Sequence, residues 1–193
     1  MSSQNIHYLF PLIALFAISC NQKVPSNDLI VSGTENPTIL LNGTWKLSLD
    51  PPEDFWLNQV DFQRWSEIEV PGECQMQGFP IKHDQPFVYK TSFQVPADYE
   101  DKKIFLDFYG VYSQARVWVN GQFVRDHLGG FTQWECDITD FVTPGAEAIL
   151  TVEVTDRIDD ISYASGYAKH QIGGILRDIE LQAVPRQHFN HLW

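Results

Sequence analysis

From Ile39 to Pro185 hydrophobic and polar residues alternate with a period of two. Trp45, Leu47 and Leu49 alternate with Lys46, Ser48 and Asp50. Phe87, Tyr89, Thr91, Phe93 and Val95 alternate with Val88, Lys90, Ser92 and Gln94. Ile104, Leu106 and Phe108 share a side, as do Leu150, Val152 and Val154, and again Ile179, Leu181 and Ala183. Successive side chains of a strand point to opposite faces, so this pattern predicts strands with one buried face. No stretch carries a sustained helical stripe. Asn120-Gly121 between residues 115–119 and 122–125 predicts a two-residue hairpin, because a type I′ turn needs positive φ at both central positions. Pro71-Gly72, Gly129-Gly130 and Pro144-Gly145 mark further breaks. Many short strands with frequent turns mean an all-β sandwich or barrel.

The chain before Ile39 has a different pattern. Residues 8–18 read YLFPLIALFAI, an apolar run too short to span a bilayer, and Ala17-Ile18-Ser19-Cys20 follows it with small residues. This is the layout of a secretory signal, and the Cys directly after it matches a bacterial lipoprotein signal. The expected division is therefore residues 1–20 as signal, with Cys20 the acylated first residue of the mature chain, and 21–38 as tether. Residues 39–185 form the folded domain, and 186–193 are the start of a next domain or a tail. Such a chain is exported to the periplasm or cell surface and meets the membrane only through its lipid.

Charge and composition narrow the partners. Thirteen Lys and Arg against 25 Asp and Glu leave a net charge of −12, which repels phosphate backbones and argues against nucleic acid. Six Trp and thirteen Phe suit an all-β core or a sugar-stacking surface. Cys20, Cys74 and Cys136 form no CxxC pair, and neither they nor the six His have metal-ligand spacing, so no metal or cofactor is expected. Cys74 and Cys136 are open between a disulfide and two buried thiols. No GxSxG, HExxH, phosphate loop or dinucleotide fingerprint is present. Asp156, Asp159 and Asp160, the densest acidic group, read as a solvated loop.

An ordered series of short motifs then adds a resemblance. It runs Leu41-Asn42-Gly43-Thr44-Trp45-Lys46, Ile68-Glu69-Val70-Pro71-Gly72 and Val88-Tyr89-Lys90-Thr91-Ser92-Phe93. It continues with Leu106-Asp107-Phe108-Tyr109-Gly110, Val117-Trp118-Val119-Asn120-Gly121 and Gly129-Gly130-Phe131-Thr132, and closes with Gly173-Gly174-Ile175-Leu176-Arg177-Asp178. The series resembles the N-terminal sugar-binding domain of glycoside hydrolase family 2, the family of β-galactosidases, β-glucuronidases and β-mannosidases. The resemblance implies a galactose-binding-like jelly-roll β-sandwich and a carbohydrate partner. It also implies that the catalytic carboxylates belong to a (β/α)₈ barrel that follows an immunoglobulin-like domain. This stretch is then a non-catalytic part of a glycosidase, with those two domains as its partners and no catalytic residue of its own.

By the same resemblance the substrate-contacting positions are Lys90 and the loop over residues 163–172. Within that loop Lys169 and His170 can donate hydrogen bonds to sugar oxygens, and no carboxylate is present. A second reading is a free-standing surface carbohydrate-binding module or lectin, with Trp118 or Trp134 as a stacking platform. A third is a structural surface protein without a sugar ligand.

Overall fold

The structure is a computed structural model, and it describes residues 31–157 and 172–188. Twelve strands are present among them: β1 (Thr38–Leu40), β2 (Gly43–Ser48), β3 (Ser66–Val70), β4 (Phe87–Gln94), β5 (Lys102–Phe108), β6 (Val111–Tyr112), β7 (Gln114–Val119), β8 (Gln122–Leu128), β9 (Trp134–Asp137), β10 (Glu147–Thr155), β11 (Gly174–Ile175) and β12 (Ile179–Pro185). They form a six-stranded sheet ordered β3-β2-β4-β10-β7-β8 and a four-stranded sheet ordered β1-β12-β5-β9, with a short β11-β6 pair. Neighbouring strands are antiparallel in every pair. The expected jelly-roll sandwich is the observed fold.

The alternation sets the core. Trp45, Leu47, Tyr89, Phe93, Val117, Val119, Leu150 and Val152 from the larger sheet meet Ile104, Leu106, Phe108, Ile179 and Leu181 from the smaller in one buried cluster. Register fixes these faces, because a slip of one residue would turn every apolar side chain outward. The β7–β8 hairpin turns at Asn120 (φ 49°) and Gly121 (φ 79°), both left-handed as the Asn-Gly pair requires.

The alternation does not predict what covers the larger sheet from outside. In β4 the residues Phe87, Val88, Tyr89 and Lys90 are all buried, so both faces are covered there. Residues 49–65 run across the outer face as a strap. Phe55 packs with Val88 and Trp118 in a second apolar cluster, flanked by Trp56 and Trp65. The sheet is thus a middle layer between the sandwich core and this strap.

Candidate functional site

Loops gather where β4 begins and β10 ends, the two strands being in register at Phe87 and Val154. Between Ile81 and Phe87 the chain reads Lys82-His83-Asp84-Gln85-Pro86, all exposed. Asp84 takes a left-handed backbone (φ 54°), and its N–H donates to Asp156 Oδ1 at 2.7 Å. His83 Nδ1 lies 3.3 Å from Asp156 Oδ2. Asp156 itself is 2 % exposed, so it belongs to the framework and is not the solvated loop residue its sequence neighbours suggest. Asp159 and Asp160 lie outside the described residues.

Both flanks of segment 158–171 are pinned by hydrogen bonds. On one side the Ser113 N–H donates to Thr155 O at 2.9 Å, and Ser113 Oγ donates to the carbonyl of Arg157. On the other, the Gly173 N–H donates to Glu73 Oε1 at 3.3 Å and the Cys74 N–H donates to Gly173 O at 3.0 Å. Gly174 (φ 134°) follows, where a Cβ would stand 2.8 Å from Tyr89 Oη and 2.9 Å from Gly72 O. Only glycine fits that approach.

Beside this framework lies a depression of about 370 Å³, lined by Leu49, Asp50, Pro80, Ile81, Lys82, Gln85, Pro86 and Phe87. It combines an apolar wall with an acceptor (Asp50), a donor (Lys82) and an amide that is both (Gln85). Such a lining suits a small polyhydroxylated ligand better than a purely apolar one. Leu128 (55 % exposed) stands at the same end of the sheet, where Gln114 pairs with both it and Thr155, and Phe131 (64 % exposed) follows it in the chain. The Gly129 N–H bonds Ser113 O, and Phe131 packs on Tyr112.

The buried titratable groups near the rim are chemically quiet. Cys74 Sγ and Tyr89 Oη are 2.9 Å apart. Burial pushes the Cys74 thiol up to about 12 and the Tyr89 hydroxyl well above its ordinary value, so neither ionises at neutral pH. Cys136 is likewise a buried free thiol, raised to about 12 by burial. The two cysteines are unpaired.

The structure places the sequence-derived candidates apart. Lys90 is fully buried beneath the strap. Its Nζ donates to Phe55 O at 3.0 Å and Leu57 O at 2.8 Å, and lies 5.2 Å from the Phe62 ring centroid. Burial lowers it to about 8, while the Asp54 carboxylate pulls the other way. Within this domain Lys90 therefore fastens the strap and is not open to a sugar. Trp118, at 5 % exposure, is covered by Phe55 and Trp56. Trp134, at 6 %, is sandwiched between Phe108 (4.2 Å) and His127 (4.7 Å). Expectation is corrected on both: neither indole offers an open face. Lys169, His170 and Cys20 lie outside the described residues. Sequence reasoning missed the depression, whose signal was the polar run 82–85 bracketed by Pro80 and Pro86, and it missed the carboxylate that holds that run.

Two antiparallel sheets packed as a sandwich, with loops gathered over one edge, define a galactose-binding-like jelly-roll domain. Residues 39–185 match the family described as glycosyl hydrolases family 2, sugar binding domain, and the chain belongs to that family. It is 33 % identical to a β-galactosidase of Clostridium acetobutylicum, over 79 % of this chain and 20 % of the relative. It is 28 % identical to a β-galactosidase of Priestia megaterium, over 77 % of this chain and 17 % of the relative. Among solved structures, a β-glucuronidase of Bacteroides uniformis superposes with a TM-score of 0.69 at 29 % identity, covering 79 % of this chain and 18 % of that one. The chain thus spans about a fifth of the length of the curated relatives it matches.

Proposed function

We propose that this chain is the non-catalytic, carbohydrate-binding portion of a family 2 glycoside hydrolase in carbohydrate metabolism. The observation that carries the reading is the match of one domain, residues 39–185, to enzymes about five times as long. The rim around Asp50, Lys82 and Gln85 is the part that meets sugar, and the exposed Leu128 and Phe131 are where the catalytic part of the enzyme packs.

Glycoside hydrolysis needs two carboxyl groups on opposite sides of the scissile bond. Among the described carboxylates, Glu180, Asp107 and Glu135 stand in one row across β12, β5 and β9. Asp107, the middle one of the row, is buried at 6 % exposure, and in the family resembled the catalytic carboxylates belong to another domain. The purified chain is therefore expected not to turn over aryl β-galactoside or β-glucuronide. Turnover that survives purification and disappears in Glu135→Gln or Glu180→Gln would refute the non-catalytic role. Chemical-shift mapping with galactose and glucuronate tests the binding role, with changes expected at Lys82, Gln85 and Gly173.

Export and lipidation belong to the same proposal. They are supported by the apolar run at 8–18 followed by Cys20. Among the described residues no helix is long and apolar enough to cross a membrane. Mass spectrometry of the chain from its native host should find an acylated Cys20 at the N-terminus; an intact Met1 would remove the idea. A second reading, a free-standing carbohydrate-binding module, is favoured by the half-exposed Phe123, which with the partly buried Trp56 packs on Trp118.

A further inference from the structure

One row of outward-facing residues crosses the six-stranded sheet through Lys46, Lys90, Thr151, Trp118 and Phe123, each opposite the next. Lys90, Thr151 and Trp118 in this row are buried, but Phe123 is 48 % exposed. Trp56, from the strap, is only partly buried and stacks on Trp118 at 6.1 Å and 15°. Phe123 meets the same indole at 5.6 Å and 68°. The buried Trp118 is thus a support that contacts two rings, one partly buried and one half exposed.

Polar groups stand at their edge. Arg116 Cζ lies 5.0 Å from the Trp118 centroid and 5.7 Å from that of Phe123, and its Nη1 donates to Glu153 Oε1 at 3.2 Å. The exposed Asn58 belongs to the strap where it touches the hairpin turn, its Oδ1 3.5 Å from the position a Cβ on Gly121 would take.

We propose that Trp56 and Phe123, with Arg116, Glu153 and Asn58 beside them, form a second carbohydrate-binding site on the outer face of the six-stranded sheet, distinct from the rim. Its ligand is a pyranose unit of a neutral glycan. The apolar C–H face of a pyranose packs on an aromatic ring, while its edge carries hydroxyls that both donate and accept. The Arg116–Glu153 pair beside Phe123 and the Asn58 amide two residues from Trp56 offer both kinds of partner. The pair is electrically neutral, so an ionic ligand would gain at one half and lose at the other. The chain's net charge of −12 further disfavours acidic glycans. A protein partner fits less well, because a stable interface takes about 800 Å² per side and two partly exposed rings supply a small fraction of that.

The test is an NMR titration of the full chain with cellotetraose, β-1,4-galactotetraose and β-1,4-mannotetraose. At least one should shift the Trp56 and Trp118 indole N–H signals and the Phe123 amide saturably, at affinities of about millimolar as few fixed contacts allow. Phe123→Ala should weaken that binding by about tenfold or more, equivalent to about 1.4 kcal/mol. Phe123→Tyr should retain it, and Lys82→Ala should leave it unchanged. Far-ultraviolet dichroism and the unfolding midpoint establish that Phe123→Ala is folded, and Trp56→Ala provides an independent loss variant. Shifts confined to Lys82, Gln85 and Gly173 would overturn this site while supporting the rim. Overturning results also include no saturable shift with any of the three sugars, or shifts indifferent to Phe123→Ala. A dimer in sedimentation that Phe123→Ala dissolves would make the patch a protein contact and end the proposal.

Discussion

Lys90 Nζ donates to the carbonyl oxygen of Phe55 at 3.0 Å, tying the middle of the six-stranded sheet to the strap that covers it. The second acceptor, Leu57 O at 2.8 Å, makes the tie two-pronged. Leu57 O also accepts the Val60 N–H at 3.3 Å, whereas Phe55 O lies in a segment without strand or helix ladders and takes its donor from Lys90.

Replacing Lys90 by Met should therefore loosen the strap. Phe55 O loses its donor, at about 1–3 kcal/mol for a buried group left unpaired, and Leu57 O keeps only the Val60 N–H, partly offset by relief of a buried ammonium. A net loss of about 2 kcal/mol is expected at pH 7. The pH dependence has a defined sign. The folded-state pKa, about 8, is below the unfolded value, so between about 8 and 10.5 the unfolded chain holds more protons and the wild type gains stability as pH rises. The deficit of Lys90→Met relative to wild type should thus be larger at pH 10 than at pH 7. Urea unfolding at both pH values measures it; an equal or smaller deficit at pH 10 would contradict the assignment.

Asp107 sits between Glu135 and Glu180 in the row across the four-stranded sheet. Burial is the main cause that pushes its carboxyl up to about 6; the two flanking carboxylates add to it, and a hydrogen bond from Gln133 works against it. Tyr109 Oη donates to Glu180 Oε2 at 3.0 Å. A carboxyl raised on folding destabilises once ionised. Stability from this group is present below pH about 4 and lost as pH rises through about 6. Asp107→Asn should stabilise the domain at pH 7.5 by about 1–2 kcal/mol, and the gain should shrink towards pH 4. Thermal melts of both proteins across that range check the sign.

The thiols of Cys74 and Cys136 are buried, and burial raises both to about 12. The thiolate is the reacting form, so alkylation of the folded domain at pH 8 should leave both unmodified. The same reagent in denaturant should label both. Peptide mass spectrometry distinguishes this from a disulfide, which would block labelling in denaturant as well.

Asp156 joins the polar run 82–85 to the end of β10 by accepting the Asp84 N–H. Asp156→Ala should cost about 1–3 kcal/mol, because the partly buried Asp84 N–H loses its acceptor. Hydrogen exchange at the Asp84 amide should accelerate more than at amides of the Val152–Val117 pair in the sheet centre. Uniform acceleration across both would mean that Asp156 acts on global stability alone.

The period of two by itself determined the strands and which faces meet in the core. Trp45, Leu47, Leu106 and Leu181 could alternate into only one interior, and the Asn120-Gly121 turn followed from the φ values it demands. The motif series was enough to indicate the family. Tertiary structure decided what alternation cannot encode, because alternation describes one strand and burial depends on what lies over it. Lys90 reads as an outward polar residue, yet the strap over residues 49–65 closes over it and turns it into an internal donor. Trp118 reads as an exposed indole, yet Phe55 and Trp56, some sixty residues earlier in the chain, cover it and leave Phe123 at the surface. Asp156 reads as one of a run of solvated acids, yet a hydrogen bond to a backbone seventy-two residues away draws it inside. Each of these reversals comes from a contact between distant segments, which no local periodicity records.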